Sequence, residues 1–115
     1  MNVRIQRKNS YTLFIEMSVD NEEMPFGMDD ELETSESWRA FPNKEAIKLV
    51  NMKSGLVVTL YEEEDGCTYC LEMYSLHNGS DSTSDYNSSL RCKFKSFEEA
   101  YQAFKELVVT YQRYK

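Results

Sequence analysis

The sequence predicts an α+β fold in which an antiparallel β-meander of about five or six strands packs on a C-terminal amphipathic helix. Three observations predict it. Residues 11–19 and 56–76 alternate apolar and polar side chains with the period of a strand, and each of these segments has a turn signal beside or within it. Residues 96–114 repeat apolar side chains at the three- and four-residue spacing of a helix. The 115 residues suit a single domain, 1–115, with one core.

The first third of the chain is predicted to form one hairpin followed by one acidic loop. β-Branched and aromatic side chains recur in residues 1–19, and Lys8-Asn9-Ser10 supplies a turn between two strands. Residues 20–37 follow neither the strand period nor the helix period, and they hold eight acids and no base. A loop of this length is uncommon in a compact domain and is usually functional or disordered. We therefore expect an irregular acidic loop over residues 20–37, with room for one helical turn near residues 29–33.

The middle of the chain is predicted to hold a short strand, an ambiguous segment and a hairpin. Residues 38–41 fit a short strand. Residues 44–53 fit a short helix and also a strand, because a short apolar run has no unambiguous period. Residues 56–76 are predicted to form a hairpin, since alternating segments flank Asp65-Gly66, which is a strong signal for a tight turn.

The turn at Asp65-Gly66 determines which side chains of this hairpin share a face. A two-residue turn sets Leu60 opposite Leu71 and Val58 opposite Met73. One face is then apolar and is predicted to belong to the core: Leu56, Val58, Leu60, Leu71 and Met73. The other face is mixed and carries Val57, Tyr61, Cys70 and Tyr74 beside Thr59 and Glu72. This mixed face is a candidate surface for a peptide or a partner subunit.

The C-terminal third is predicted to hold a mobile loop, a strand and the helix. Residues 77–89 are polar and low in complexity, which is typical of a mobile loop. Residues 90–94 alternate as a strand does, and a capping box at residues 96–99 starts the helix 96–114. Residues 94–100 resemble the end of the nucleic-acid-associated WGR domain, but the Trp-Gly-Arg signature of that family is absent and the resemblance implies no function here.

Charge is segregated along the chain. The formal net charge is -7. Residues 20–37 carry -8 and residues 62–85 carry -7 without a single base, so the rest of the chain carries +8. Blocks of this kind affect the long-range field and the choice of partner more than the fold. Because a negative chain repels phosphate, we do not expect direct binding of nucleic acid.

No motif for catalysis or for a cofactor is present in the sequence. His77 is the single histidine, and no residue near it is suited to orient it as a catalytic base. Cys67, Cys70 and Cys92 with His77 form a set of zinc-binding residue types, but alternation along a strand would place Cys67 and Cys70 on opposite faces. We therefore expect no enzyme, no cofactor and no metal, with a small zinc-binding domain as an alternative.

The expected compartment is the cytoplasm, with no membrane partner. No apolar run approaches the ~20 residues that a membrane-spanning helix needs, and the N-terminus lacks the apolar centre of a secretory signal. The odd number of cysteines agrees with reduced thiols.

The sequence therefore predicts a non-enzymatic acidic inhibitor that binds a basic, nucleic-acid-binding protein and blocks its phosphate-binding surface. In size, charge and architecture the chain is similar to phage-encoded inhibitors of defence nucleases, including anti-CRISPR proteins, and to toxin-immunity proteins. The candidate acidic contacts are Asp29, Asp30, Glu31, Glu33, Glu36, Glu62, Glu63, Glu64 and Asp65. The candidate apolar anchors are Met24, Phe26, Met28 and Tyr69, with the alternative that the first three fold back as a lid on the core. The alternative is a small interaction module that uses the mixed face of the 56–76 hairpin.

Overall fold

The computed structural model describes residues 1–19, 26–41, 43–75 and 88–111. Within these ranges the chain forms eight strands and one helix. Their bounds are β1 Asn2–Asn9, β2 Thr12–Val19, β3 Phe26–Glu33, β4 Trp38–Ala40, β5 Ala46–Asn51, β6 Leu56–Glu62, β7 Tyr69–Ser75, β8 Ser88–Phe94 and α1 Phe97–Tyr111. The strands form two antiparallel sheets, in the orders β1-β2-β3 and β4-β5-β6-β7-β8. The α+β prediction is confirmed, although the strands divide into two sheets and exceed the predicted number.

The three-stranded sheet contains the predicted N-terminal hairpin and one strand that the sequence did not predict. The expectation of an irregular loop over 20–37 is wrong for residues 26–33, which form β3 and pair with β2. Met28 and Leu32 face the core at strand spacing, but Asp30 lies between them on the same face and interrupts the apolar alternation. Residues 20–25, with Met24 among them, lie outside the described residues.

The five-stranded sheet settles the ambiguous segment 44–53 as a strand, β5. Its hairpin β6–β7 has the predicted register, with Leu60 opposite Leu71. The turn itself is longer than predicted, because the Glu63 N–H donates to the Thr68 carbonyl at 2.8 Å and closes a four-residue loop. A two-residue and a four-residue loop centred on the same bond give the same register, so the pairing was predicted correctly from the wrong turn.

Helix α1 begins as the capping box predicts. The Ser96 hydroxyl accepts a bond from the Glu99 N–H at 3.4 Å, and acids occupy the first turn, where they interact favourably with the helix dipole. Residues 112–114 of the predicted helix lie outside the described residues, as do residues 77–87 of the predicted mobile loop. Residues 88 and 89, which were also assigned to that loop, begin β8.

The core lies between the inner faces of the two sheets and the helix. The helix packs across β6, β7 and β8, while β1 approaches β5, so the three-stranded sheet and the helix together cover the five-stranded sheet. Ile15, Trp38, Leu60 and Phe104 each have no exposed surface, and they come from all three layers. The outer face of each sheet is not covered by any strand or helix in the described ranges.

Candidate acidic binding surface

The outer face of the three-stranded sheet carries a row of carboxylates. Because side chains alternate along β3, Asp29, Glu31 and Glu33 project outward, and each is exposed. Their Cα atoms are spaced by about 6.6 Å along the strand, which is twice the rise per residue. Glu16 of β2 is directly opposite Asp29 in the register and extends the row across the sheet. We call these four residues, Glu16, Asp29, Glu31 and Glu33, the acidic face.

Only part of this charge is neutralised within the domain. The Lys8 ammonium forms an ion pair with Glu31 and lies 5.5 Å from the centre of the Phe14 ring. Among the described residues, no ion pair involves Asp29 or Glu33. Arg4 of β1 is directly opposite Glu16 on this face, so the uncompensated negative charge that the acidic face presents to solvent lies at Asp29 and Glu33.

A hollow of about 350 Å³ lies at one end of the acidic face. Its lining includes Arg4, Glu16, Ser18, Gly27 and Asp29. Ser18 and Gly27 are small residues that face each other across β2 and β3, and they leave the hollow open. No heavy atom lies within 4 Å of the position that a Cβ of Gly27 would occupy. The hollow is thus a cavity with carboxylates on its rim that is wide enough for an added side chain.

Asp30 was predicted to contact a partner, but the structure turns it inward. Its carboxylate accepts a hydrogen bond from the Tyr101 hydroxyl at 2.7 Å and lies 3.4 Å from the Lys105 ammonium. Burial raises the pKa of Tyr101, and the hydrogen bond to Asp30 raises it further, because both favour the neutral phenol. Asp30 thus joins β3 to α1 and does not belong to the outer surface.

The acids at the tip of the β6–β7 hairpin are largely paired within the domain. Glu62 lies 3.2 Å from the amino group of Met1, and Glu63 lies 3.6 Å from the Lys93 ammonium. Glu64 is exposed, and no described ion pair involves it. The tip therefore presents less free charge than the sequence predicted.

Asp65 holds the turn closed. Its carboxylate accepts hydrogen bonds from the N–H groups of Cys67 and Thr68 at 2.8 and 2.9 Å, and from the Thr68 hydroxyl at 2.7 Å. These bonds, with the Cys67 N–H contributing most, hold the pKa of Asp65 below its usual value because they stabilise the ionised form. Gly66 follows with a φ of 72°, which favours glycine.

The predicted apolar anchors do not form a surface cluster. Tyr69 was wrongly assigned to the surface: it lies on the inner face of β7, is 6% exposed and meets the Phe97 ring edge-on at 5.4 Å. Met28 is half-buried and packs against the core. Met24 and the side chain of Phe26 lie outside what the structure describes. Glu36 is exposed but lines a cleft between the two sheets, away from the acidic face.

The mixed face of the β6–β7 hairpin lies on the outer side of the five-stranded sheet, as the register predicted. Two of its predicted contact residues, Val57 and Cys70, are buried at 1% and 0% exposure, whereas Tyr61 and Tyr74 are half-buried. A hydrogen bond with Cys70 makes the largest contribution to raising the pKa of Tyr61, and burial raises it further. Accessible contacts on this face thus come from its aromatic and polar residues.

Glu72 is the centre of a polar network on the same face. It accepts a hydrogen bond from the Tyr61 hydroxyl at 2.9 Å and lies 3.1 Å from Arg91 Nε. Hydrogen bonding with Tyr61 raises the pKa of the Arg91 guanidinium. The ion pair of Arg91 with Glu72 was not predicted from the sequence, although the alternation of residues 90–94 predicts that the Arg91 side chain points outward.

The three thiols do not converge. Cys67 is exposed in the turn, and Cys70 points to the outer face of β7. Cys92 is opposite Leu71 and therefore points to the inner face. Within the described residues, which omit His77, no group of three or more His, Cys, Asp or Glu side chains is placed to hold a metal ion. The ranges described also contain no helix with the length and apolar character needed to cross a membrane.

Comparison of the chain with protein-family models, with curated proteins and with solved structures found no match. Any inference about function therefore depends on the geometry and charge of the described residues.

Proposed function

We propose that this protein is a non-enzymatic inhibitor whose acidic face binds the basic, phosphate-binding surface of another protein. The observation that carries the proposal is that Glu16, Asp29, Glu31 and Glu33 share one outer sheet face, on which the described residues form one ion pair, that of Lys8 with Glu31. The three cysteines are free thiols, as is usual in a reducing compartment, so the proposed site of action is the cytoplasm.

The acidic face is suited to a surface that normally holds nucleic acid. A β-strand places charges in one straight row at a regular interval, and a nucleic-acid strand also presents its phosphates in a row. Complementary charge accelerates encounter and selects a partner. The hollow beside Glu16 and Asp29 would receive a Lys or Arg side chain of that partner, which gives the contact a fixed position.

The arrangement of the acidic face favours binding over simple solubility. Glu16 and Asp29 are directly opposite each other across two paired strands, and like charges in this position cost about 0.2–1 kcal/mol of stability. Arg4, opposite Glu16 on its other side, offsets part of this cost. Solubility needs negative charge but does not need it concentrated at one cross-strand pair. A binding role accounts for the concentration, because a cationic partner would relieve the repulsion.

The test compares two double variants with equal changes in net charge. Asp29→Lys with Glu33→Lys removes the two exposed acids of the acidic face that lack a described ion pair, and Glu45→Lys with Glu106→Lys is the matched control at exposed sites outside the acidic face. Immobilised wild-type protein is used to capture a partner from nuclease-treated lysate, and that partner is then titrated with each variant and with duplex DNA.

We expect the first variant to lose binding by at least about tenfold at low salt, the control to retain it, and duplex DNA to displace the partner. Gly27→Leu adds a neutral side chain to the hollow and is expected to weaken binding without any change in charge. Equal binding by both charge variants, or a partner that duplex DNA does not displace, would contradict the proposal.

A second candidate is the interaction module on the mixed face. It is favoured by the buried floor of Val57 and Cys70 beneath half-buried tyrosines, on a sheet face that no described element covers. In that case Tyr61→Ala would abolish binding of the captured partner, while Asp29→Lys would leave it unchanged. The same titration therefore distinguishes the two surfaces.

A further inference from the structure

Two sheet edges approach each other on the side of the molecule opposite to β3. β1 is an edge of the three-stranded sheet, and β4 is an edge of the five-stranded sheet. Two hydrogen bonds link β1 to this side of the five-stranded sheet: the Val3 N–H donates at 3.0 Å to the carbonyl of Lys44, in the turn between β4 and β5, and the Arg7 guanidinium donates to the Trp38 carbonyl of β4. The strands do not pair between these links, and a groove remains there, which we call the edge groove.

Two adjoining hollows, of about 670 and 300 Å³, form the edge groove, and Ile5 and Ala40 line both of them. Leu13 contributes to the apolar floor, while Met52 and Phe41 stand at the rim with 55% and 41% of their surfaces exposed. The groove thus has an apolar floor and apolar rim residues along the facing edges.

The free edge of β1 directs backbone groups into this groove. In an antiparallel ladder the N–H and C=O groups of successive residues point alternately to the two sides of the strand. The Val3 N–H points away from β2, since it donates to Lys44. The pairing of β1 with β2 is regular from Asn2 to Arg7, so the backbone groups of Ile5 point to the same side as those of Val3.

The free edge of β4 also directs backbone groups into the edge groove, from the side opposite β1. The Phe41 N–H donates to the Lys48 carbonyl of β5 at 3.1 Å, so the backbone groups of Ala40 point away from β5. The Trp38 carbonyl also points away, since it accepts a bond from Arg7. In the described part of the chain, no backbone bond outside the strand ladders reaches the N–H of Ile5 or of Ala40. Ile5 of β1 and Ala40 of β4 therefore each offer backbone groups to the groove, whereas the Val3 N–H and the Trp38 carbonyl are already bonded.

The charge around the edge groove is positive. Among the described residues that line it, Glu36 is the one acid, and four bases (Arg7, Arg39, Lys44 and Lys53) line it together with Arg4, which also lines the hollow at the acidic face. Arg7 is bound to backbone carbonyls, and none of the five takes part in an ion pair in the described ranges. The groove is thus opposite in charge to the acidic face.

We propose that the edge groove binds an extended acidic peptide segment of another protein, which adds as a strand along the free edge of β1 or β4. Strand addition uses main-chain hydrogen bonds for affinity and alternate side chains for specificity. The fitting sequence alternates aliphatic residues, which face the floor at Ile5 and Leu13, with Asp or Glu, which face the bases. A peptide suits the groove better than a nucleic acid, because a peptide main chain supplies both donors and acceptors whereas a phosphate backbone supplies acceptors only.

The test uses three synthetic peptides of eight residues, capped at both ends. The first alternates Glu with Val, the second alternates Lys with Val, and the third is the first with every second amide N-methylated to remove its donors. Binding is followed by calorimetry and by backbone amide shifts of the labelled protein. We expect the Glu peptide to bind with shifts centred on Ile5 and Ala40, and each of the other two to bind at least about tenfold more weakly.

Variants of the protein locate the site. Arg39→Glu with Lys53→Glu reverses two groove bases, and Lys48→Glu with Lys95→Glu is the control with the same change in net charge outside the groove. We expect at least about a tenfold loss for the first pair and less than about twofold for the control at low salt. Equal losses, shifts confined to another surface, or tighter binding of oligo-dT than of the Glu peptide would overturn the proposal. The acidic face is unchanged in these variants, so their outcome is independent of the function proposed above.

Discussion

Replacing Tyr101 by Phe tests the contact that joins β3 to the helix. The Tyr101 hydroxyl donates to a carboxylate oxygen of Asp30 at 2.7 Å, and Tyr101 is 1% exposed. The ring itself stacks at 6.1 Å from Phe97 and from Phe104, and Phe at this position preserves that stacking. The substitution therefore removes one hydrogen bond to a charged group and little else.

The magnitude follows from the surroundings of Asp30. A hydrogen bond to a charged group contributes about 1.5–3 kcal/mol. The Asp30 side chain is 29% exposed and keeps its ion pair with Lys105 at 3.4 Å, so its carboxylate is not left without a partner. We therefore expect the free energy of unfolding to fall by about 1.5–2 kcal/mol, which lowers the urea midpoint by about 1 M.

The measurement is urea unfolding followed by far-UV circular dichroism, with Tyr69→Phe as the control. Tyr69 is also a buried aromatic residue, but no hydrogen bond of its hydroxyl is found in the described residues, so this control should change stability by less than about 0.5 kcal/mol. Equal losses in the two variants, or a Tyr101→Phe variant as stable as wild type, would refute the reasoning.

The pH dependence gives a second readout of the same contact. The pKa of Tyr101 in the folded state is raised above its unfolded value of 10.0. A raised pKa means that the contribution to stability is complete below pH 10 and is lost as the pH rises through the folded value. The difference in stability between wild type and Tyr101→Phe should therefore be constant near neutral pH and narrow above pH 10.

Three further predictions concern the hairpin tip and the link between the sheets. Gly66 has a φ of 72° and open space around it, so Gly66→Ala should cost about 1–2 kcal/mol through backbone strain alone, and Gly66→Asn should cost less, as measured by urea unfolding. The pKa of the Asp65 carboxyl, measured by NMR, should lie below 3.8 and should rise toward that value in Thr68→Val. The contribution of this carboxyl to stability should be present above pH 3.8 and lost as the pH falls below it. Arg7→Met leaves the Trp38 carbonyl without its donor and should cost about 1–2 kcal/mol, with faster amide exchange in β4.

Much of the fold was predictable because its signals are local. The Asp65-Gly66 turn gave the register of β6 and β7, and the capping box gave the start of α1, since both depend on residues within one or two turns of chain. The same locality explains the error in loop length at the tip. The bonds that the Asp65 carboxylate accepts from the N–H groups of Cys67 and Thr68 belong to the four-residue loop and are absent from a two-residue turn, and their geometry does not follow from composition.

β3 was missed because its pattern depends on a distant partner. Asp30 is a polar residue at an inward-facing position, so it breaks the apolar alternation of the strand. The partner that accounts for it, Tyr101, is 71 residues away in sequence. Once the strand is known, the acids of residues 29–33 divide into one that is half-buried in an internal contact, Asp30, and three that lie on the outer surface. The sequence therefore predicted where the negative charge lies along the chain, but not which carboxylates reach solvent on a common face.

Trp38 gives this fold a property of practical use. It is the single tryptophan of the chain, none of its surface is exposed, and its carbonyl is bound by Arg7 where the two sheets meet. An indole excluded from water emits at shorter wavelength than a hydrated one, so separation of the sheets would shift the emission to the red. The junction between the sheets thus contains an intrinsic fluorophore, and its opening can be followed in unlabelled protein.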